Sequence, residues 1–120
     1  MTTRNFDLEE RTAKFGEDVI IFCKTIDKNS ITTSLVSQIV RSATSVGANY
    51  MEANGASSKK DFKNKIHICK KEIQETKHWL RMISKAESSK KIEARKLWNE
   101  AQELTLIFGK ILSTMNKDAK

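Results

Sequence analysis

Gln38–Leu80 reads QIVRSATSVGANYMEANGASSKKDFKNKIHICKKEIQETKHWL, and two helical periods separated by one turn run through it. Ile39, Ala43, Val46 and Tyr50, with Leu35 upstream, make one apolar row. Val36, Val40, Gly47 and Met51 make the row beside it. Two adjacent rows form a face wide enough for a bundle core. Gly55-Ala56-Ser57-Ser58 interrupts the pattern. Gly55 is expected to supply a left-handed C-terminal position, and Ser57 or Ser58 to cap the following helix. Phe62, Ile66, Cys69, Ile73, Thr76, Leu80 and then Ile83 resume at alternating four- and three-residue steps, the spacing of a packed helical seam. These spacings predict helices over 33–54 and 59–85.

The same logic extends outward. Leu8, Phe15, Val19, Phe22 and Ile26, with Thr12 in one gap, predict a helix over 8–28. Asp7 is its expected N-cap, and Glu9 and Glu10 suit the positive end of its dipole. The polar run Asp27–Ser30 breaks it, and Ser30 or Thr32 is expected to cap the next helix. After Ala86-Glu87-Ser88-Ser89, the row Leu97, Ala101, Leu104, Phe108, Ile111 and Met115 predicts a helix over 90–116. Four long helices with short links imply an all-α, antiparallel up-and-down four-helix bundle, a single domain over 1–120. The absence of proline and the presence of only 4 glycines agree with long helices.

The net charge is +7, with 8 Lys/Arg against 7 Asp/Glu in residues 1–60 and 14 against 8 in residues 61–120. A basic half points to nucleic acid, an anionic surface or an acidic partner. The alternative is a set of solvated lysine-rich helices. Cys23 and Cys69 lie in apolar rows, where a free thiol behaves as a small hydrophobe. No signal peptide or spanning run is recognisable, so a reduced, cytoplasmic protein with no membrane partner is expected. Ile20, Ile21, Ile68, Trp79, Met82, Trp98, Ile107 and Leu112 lie beside the seams. They suggest either a broad core or a second face that packs on copies of the same chain.

Gln38, Ser42, Ser45, Asn49 and Glu52 form a small, polar stripe on one helix face. Small residues allow close helix approach, so a structural role is expected for the stripe; the alternative is that Asn49 and Glu52 bind a ligand. Glu52 is expected to meet the free N–H groups opening the next helix. Chemistry is poorly supported. His67 and His78 are eleven residues apart, about 16 Å along a helix, too far to share a metal. Glu72 and Glu75 read as a surface pair with lysines such as Lys71. Glu75-x-x-His78 has no counterpart for a di-metal bundle. No metal, cofactor, catalytic residue or enzymatic activity is expected.

Residues 59–71, KKDFKNKIHICKK, hold six lysines and one acid. Lys59, Lys60, Lys63, Lys70, Lys71 and Lys77, with Arg41 and Arg81, are the candidate contacts for RNA or DNA phosphates. Lys85, Lys90, Lys91, Arg95 and Lys96 add charge around the last turn. Such contacts are salt-sensitive and sequence-independent. No base-reading element or aromatic stacking platform accompanies them in the sequence. A scaffold that binds a protein partner is the alternative.

The pattern Gln38-x-x-Arg41-Ser42-Ala43-x-Ser45, then Asn49, Glu52, Ser58, Phe62, Lys65, Lys71-Glu72, Glu75-Thr76 and Trp79-Leu80, resembles a bacterial four-helix bundle family. That family includes proteins encoded in intervening sequences of large-subunit ribosomal RNA genes. The resemblance implies a left-handed up-and-down bundle assembled as a homopentamer. It also implies a relation to accessory proteins of diversity-generating retroelements, which associate with reverse transcriptase and nucleic acid. An accessory subunit of a ribonucleoprotein or reverse transcriptase is thus a second expectation. The chain departs from the family pattern twice. Lys28-Asn29-Ser30 replaces a proline-containing link, and Glu52 is followed by Ala53-Asn54-Gly55 rather than directly by glycine.

Overall fold

Four helices, α1 (Thr3–Lys24), α2 (Ser30–Asn54), α3 (Lys59–Ala86) and α4 (Lys91–Asp118), follow one another in a computed structural model. It describes the backbone over residues 3–118 and side chains over residues 8–117. Each helix packs on its sequence neighbours, and α1 closes the ring against α4. The links are too short for anything but antiparallel neighbours. The result is an antiparallel rod of 49 × 22 × 21 Å.

The expected rows are the observed core. Leu8, Thr12, Phe15, Val19, Phe22 and Ile26 are buried, as are Ile39, Ala43, Val46 and Tyr50. Ile66, Cys69, Ile73, Thr76, Leu80 and Ile83 face them from α3. On α4 the buried line is Ala94, Ala101, Leu104, Phe108 and Leu112, with Leu97 and Ile111 packed at its edge. Met51, expected in the second α2 row, is exposed. The row drifts around the helix because 3.6 residues per turn does not divide the spacing evenly, and Ala53 takes the inward position.

The helix ends correct several expectations. Helical backbone begins at Thr3, so Asp7 lies inside α1 and is not its cap, and Glu9 and Glu10 sit beyond the first turn. α1 ends at Lys24 rather than Lys28, closed by short-range bonds from Thr25 N–H to Phe22 O and Ile26 N–H to Cys23 O. α2 starts at Ser30 because Asn29, not Ser30 or Thr32, is its N-cap. The Asn29 side chain accepts from the N–H groups of Ile31 and Thr32, and Thr32 Oγ1 accepts the Asn29 N–H in return. Such a capping box is worth about 1 kcal/mol. Gly55 adopts φ −96°, ψ 11°, not a left-handed conformation. Its N–H donates to Met51 and Glu52 carbonyls, and Ala56 donates to Ala53 O, so the last carbonyls are satisfied by a tightened turn. Ser58 caps α3 by accepting the Asp61 N–H. A 3₁₀ turn, Ser88–Lys90, precedes α4.

Candidate nucleic-acid interface

The polar stripe of α2 divides according to the helix it faces. Ser42 is fully buried against α3, where its hydroxyl meets Thr76 Oγ1 at 2.8 Å. Asn49 turns back on its own helix and donates to Ser45 O and Oγ, both at 2.9 Å. Gln38 is exposed. Glu52 does not reach the opening turn of α3. It accepts from Lys65 Nζ at 2.8 Å, while Ser58 accepts the Asp61 N–H in the opening turn. Glu52 also raises the Lys65 pKa through that hydrogen bond.

Arg41 is likewise part of the α2–α3 seam. Its guanidinium donates to Glu72 Oε1 at 3.1 Å and to Glu75 Oε1, which also accepts from Trp79 Nε1. The two carboxylates thus pair with Arg41 rather than with surface lysines. Across the opposite seam, Arg11 makes a bidentate contact with Glu100, both bonds 2.7 Å, and a further one with Glu103. Glu100 above all raises the Arg11 pKa.

The remaining cations separate by face. Lys59, Lys60 and Lys71 are exposed. Lys63, Lys70, Lys77 and Arg81 lie along the edge of α3 that borders α4. Lys63 Nζ donates to Asn116 Oδ1 at 2.6 Å, and Lys77 Nζ donates to Gln102 Oε1. Lys70 borders a shallow depression of about 410 Å³ with His67, Asn116 and Lys117. Arg81 borders a larger groove, about 660 Å³, between the end of α3 and the start of α4.

That groove combines apolar and cationic walls. Leu80, Ala94, Ile92 and Trp98 supply apolar surface, and Ser84 a hydroxyl. Arg81, Lys91 and Arg95 supply three cations, and no carboxylate lines it. The Arg95 guanidinium carbon lies 4.8 Å from the Trp98 ring centroid and Lys77 Nζ 4.7 Å from it, both within cation–π range. The charge is local: residues 77–98 hold seven Lys/Arg against two Asp/Glu, most of the chain's net +7. One aromatic side chain, Trp98, thus lies among the cations. Trp98 read as an off-seam hydrophobe, and Ile92 carried no signal. Arg95, Trp98 and Gln102 recur at three- and four-residue steps, and antiparallel pairing sets that row against Lys77 and Arg81.

His67 and His78 are both exposed. Among the described residues, no group of three or more His, Cys, Asp or Glu side chains is placed to hold a metal ion. No helix among them is long and apolar enough to cross a membrane. Cys23 and Cys69 are free and buried. Burial pushes their pKa values up to about 11 and about 12, respectively, so neither is a ready nucleophile.

The family model for the 23S rRNA-intervening sequence protein matches residues 4–110. The chain belongs to the 23S rRNA-intervening sequence protein family. Its fold is similar to the 1.70 Å crystal structure of a protein of unknown function from the S23 ribosomal protein family of Bacteroides thetaiotaomicron. The TM-score is 0.83 and the identity 28%, covering 91% of this chain and 97% of that one. A comparison with curated proteins finds no match. Within this 23S rRNA-intervening sequence family member, Arg41, Ser42 and Thr76 of the recognisable pattern serve the α2–α3 seam, while the cationic groove lies largely outside that pattern.

Proposed function

We propose that this protein is a non-catalytic, basic bundle that binds RNA or DNA through phosphate contacts at the α3–α4 edge. The observation that carries this is the groove bordered by Arg81, Lys91 and Arg95 with no carboxylate in its lining. Lys63, Lys70 and Lys77 extend the same edge along α3. Lys59, Lys60 and Lys71 contribute a looser field, and Arg41 contributes little because Glu72 and Glu75 neutralise it. The protein would work in the cytoplasm, without cofactor or metal.

Exposed Ile21, Ile31, Met51 and Leu106 favour self-association through outer helix faces, and the family resemblance suggests five copies. A repeated groove would gain avidity in such an assembly. The same exposed residues support a second reading, a scaffold or accessory subunit for a protein partner.

The deciding measurement is binding of labelled RNA across a salt series. Phosphate binding predicts that log K falls linearly with log salt, and that Arg81→Gln, Lys91→Gln and Arg95→Gln each flatten the slope by about 0.7–0.9. Absence of binding at low salt, or binding indifferent to salt, rejects it. Capture of a protein partner that survives nuclease would favour the scaffold.

A further inference from the structure

We infer that the α3–α4 groove selects an unpaired strand over a duplex, seating one base against Trp98 and Ile92 while Arg81, Lys91 and Arg95 hold the flanking phosphates. This rests on the phosphate-binding reading above and narrows its ligand. The reason is the composition of the groove. Phosphate contacts alone need only exposed cations, and an apolar floor adds nothing to them. Here Ile92 is 73% exposed at the groove wall, and the half-buried Trp98 lies in the same groove. A duplex keeps its bases stacked inside and would leave that apolar surface uncovered. An unpaired base covers it and gains stacking energy that does not depend on which base is present.

The volume agrees. About 660 Å³ lies within the roughly 300–1,000 Å³ range of pockets that enclose a small organic group. Arg95 sits over the Trp98 ring, and a guanidinium plane is itself a surface on which a base stacks. The cations then neutralise the backbone on either side of the base. An acidic peptide is the competing occupant. It would satisfy the three cations, but it has no planar group suited to the Arg95–Trp98 stack.

The test uses the full chain with Trp79→Phe, so that Trp98 is the single tryptophan. A labelled 12-nucleotide oligo(U), the matching oligo(dT), a duplex of equal length and an oligoglutamate peptide are compared at one salt concentration. The expected result is at least tenfold tighter binding of the single strands, with quenching of Trp98 fluorescence. Trp98→Leu should weaken single-strand binding by roughly 5- to 150-fold, the range of one lost base stack. It should change duplex binding less than twofold. Ile92→Ser, at an exposed position, gives the same direction without risk to the core. Duplex binding as tight as single-strand binding, or unquenched Trp98 in the bound state, overturns the selectivity while leaving phosphate binding intact. No binding of either nucleic acid at low salt overturns both, and tight binding of oligoglutamate alone assigns the groove to an acidic peptide.

Discussion

The Ser42 and Thr76 hydroxyls lie 2.8 Å apart across the α2–α3 seam, both sealed from solvent. Each hydroxyl also has a backbone acceptor on its own helix, Thr76 with Glu72 O at 2.9 Å and Ser42 with Ile39 O at 3.3 Å, so either can donate across the seam. The pair forms a short hydrogen-bonded link in the buried part of the seam. Replacing either hydroxyl removes the bond between the helices and leaves the other only its backbone acceptor. Ser42→Ala and Thr76→Val should each cost about 1 kcal/mol, and the double variant less than their sum. A double-mutant cycle from urea unfolding should give a coupling of about 0.5–1 kcal/mol.

Two helical glycines should respond with opposite sign. A Cβ at Gly47 would stand 3.3 Å from Thr12 O and 3.4 Å from Ala13 N, the backbone of α1. Helical backbone cannot yield there without moving α1 as a whole. Gly47→Ala should therefore destabilise despite its better helix propensity. A Cβ at Gly109 meets nothing within 4 Å, so Gly109→Ala should stabilise by about 0.5–1 kcal/mol. Thermal unfolding of the two variants checks both.

Arg41 and Arg95 should separate stability from binding. Arg41 holds Glu72 and Glu75, and its side chain is 48% exposed. Arg41→Gln should cost about 1 kcal/mol or less and leave RNA affinity within twofold. Arg95→Gln should lower affinity severalfold while costing no more than the roughly 0.5–1 kcal/mol of its exposed cation–π contact with Trp98. A midpoint measured beside a binding curve for each variant decides it.

Alkaline pH should destabilise the fold. Burial raises Cys23 to about 11 and Cys69 to about 12 from an ordinary 9.0, and burial raises Tyr50 as well. The unfolded chain loses these protons first. The thiol contribution is complete below pH 9 and is lost as pH rises through 11 and 12, at up to about 1.4 kcal/mol per pH unit for each thiol. Urea midpoints at pH 8 and pH 10.5 should differ, and Cys69→Ala should flatten that difference.

The core rows were legible in the sequence because packing imposes a period, and Ile66, Cys69, Ile73, Thr76 and Leu80 keep it without interruption. Cap identity was less legible. Asn29, Ser30 and Thr32 are all good cap residues, and the reciprocal Asn29–Thr32 bonds that select one of them exist only after the chain turns. The candidate site was legible only in part. Charge along α3 pointed to Lys63, Lys70, Lys77 and Arg81, but Arg41 carries the same charge and spends it on Glu72 and Glu75. Trp98 joins the site only because antiparallel pairing brings α4 against that edge, a relation between distant segments that local periodicity does not encode.

The groove sits beside the α3–α4 turn, whereas the first residue of α1 and the last residue of α4 lie at the other end of a 49 Å rod. The groove and these two helix ends are thus segregated along the long axis. A surface or a fused partner attached at the start of α1 or the end of α4 would hold the rod upright with its cationic groove pointing away, so any affinity for RNA measured in solution should survive immobilisation there.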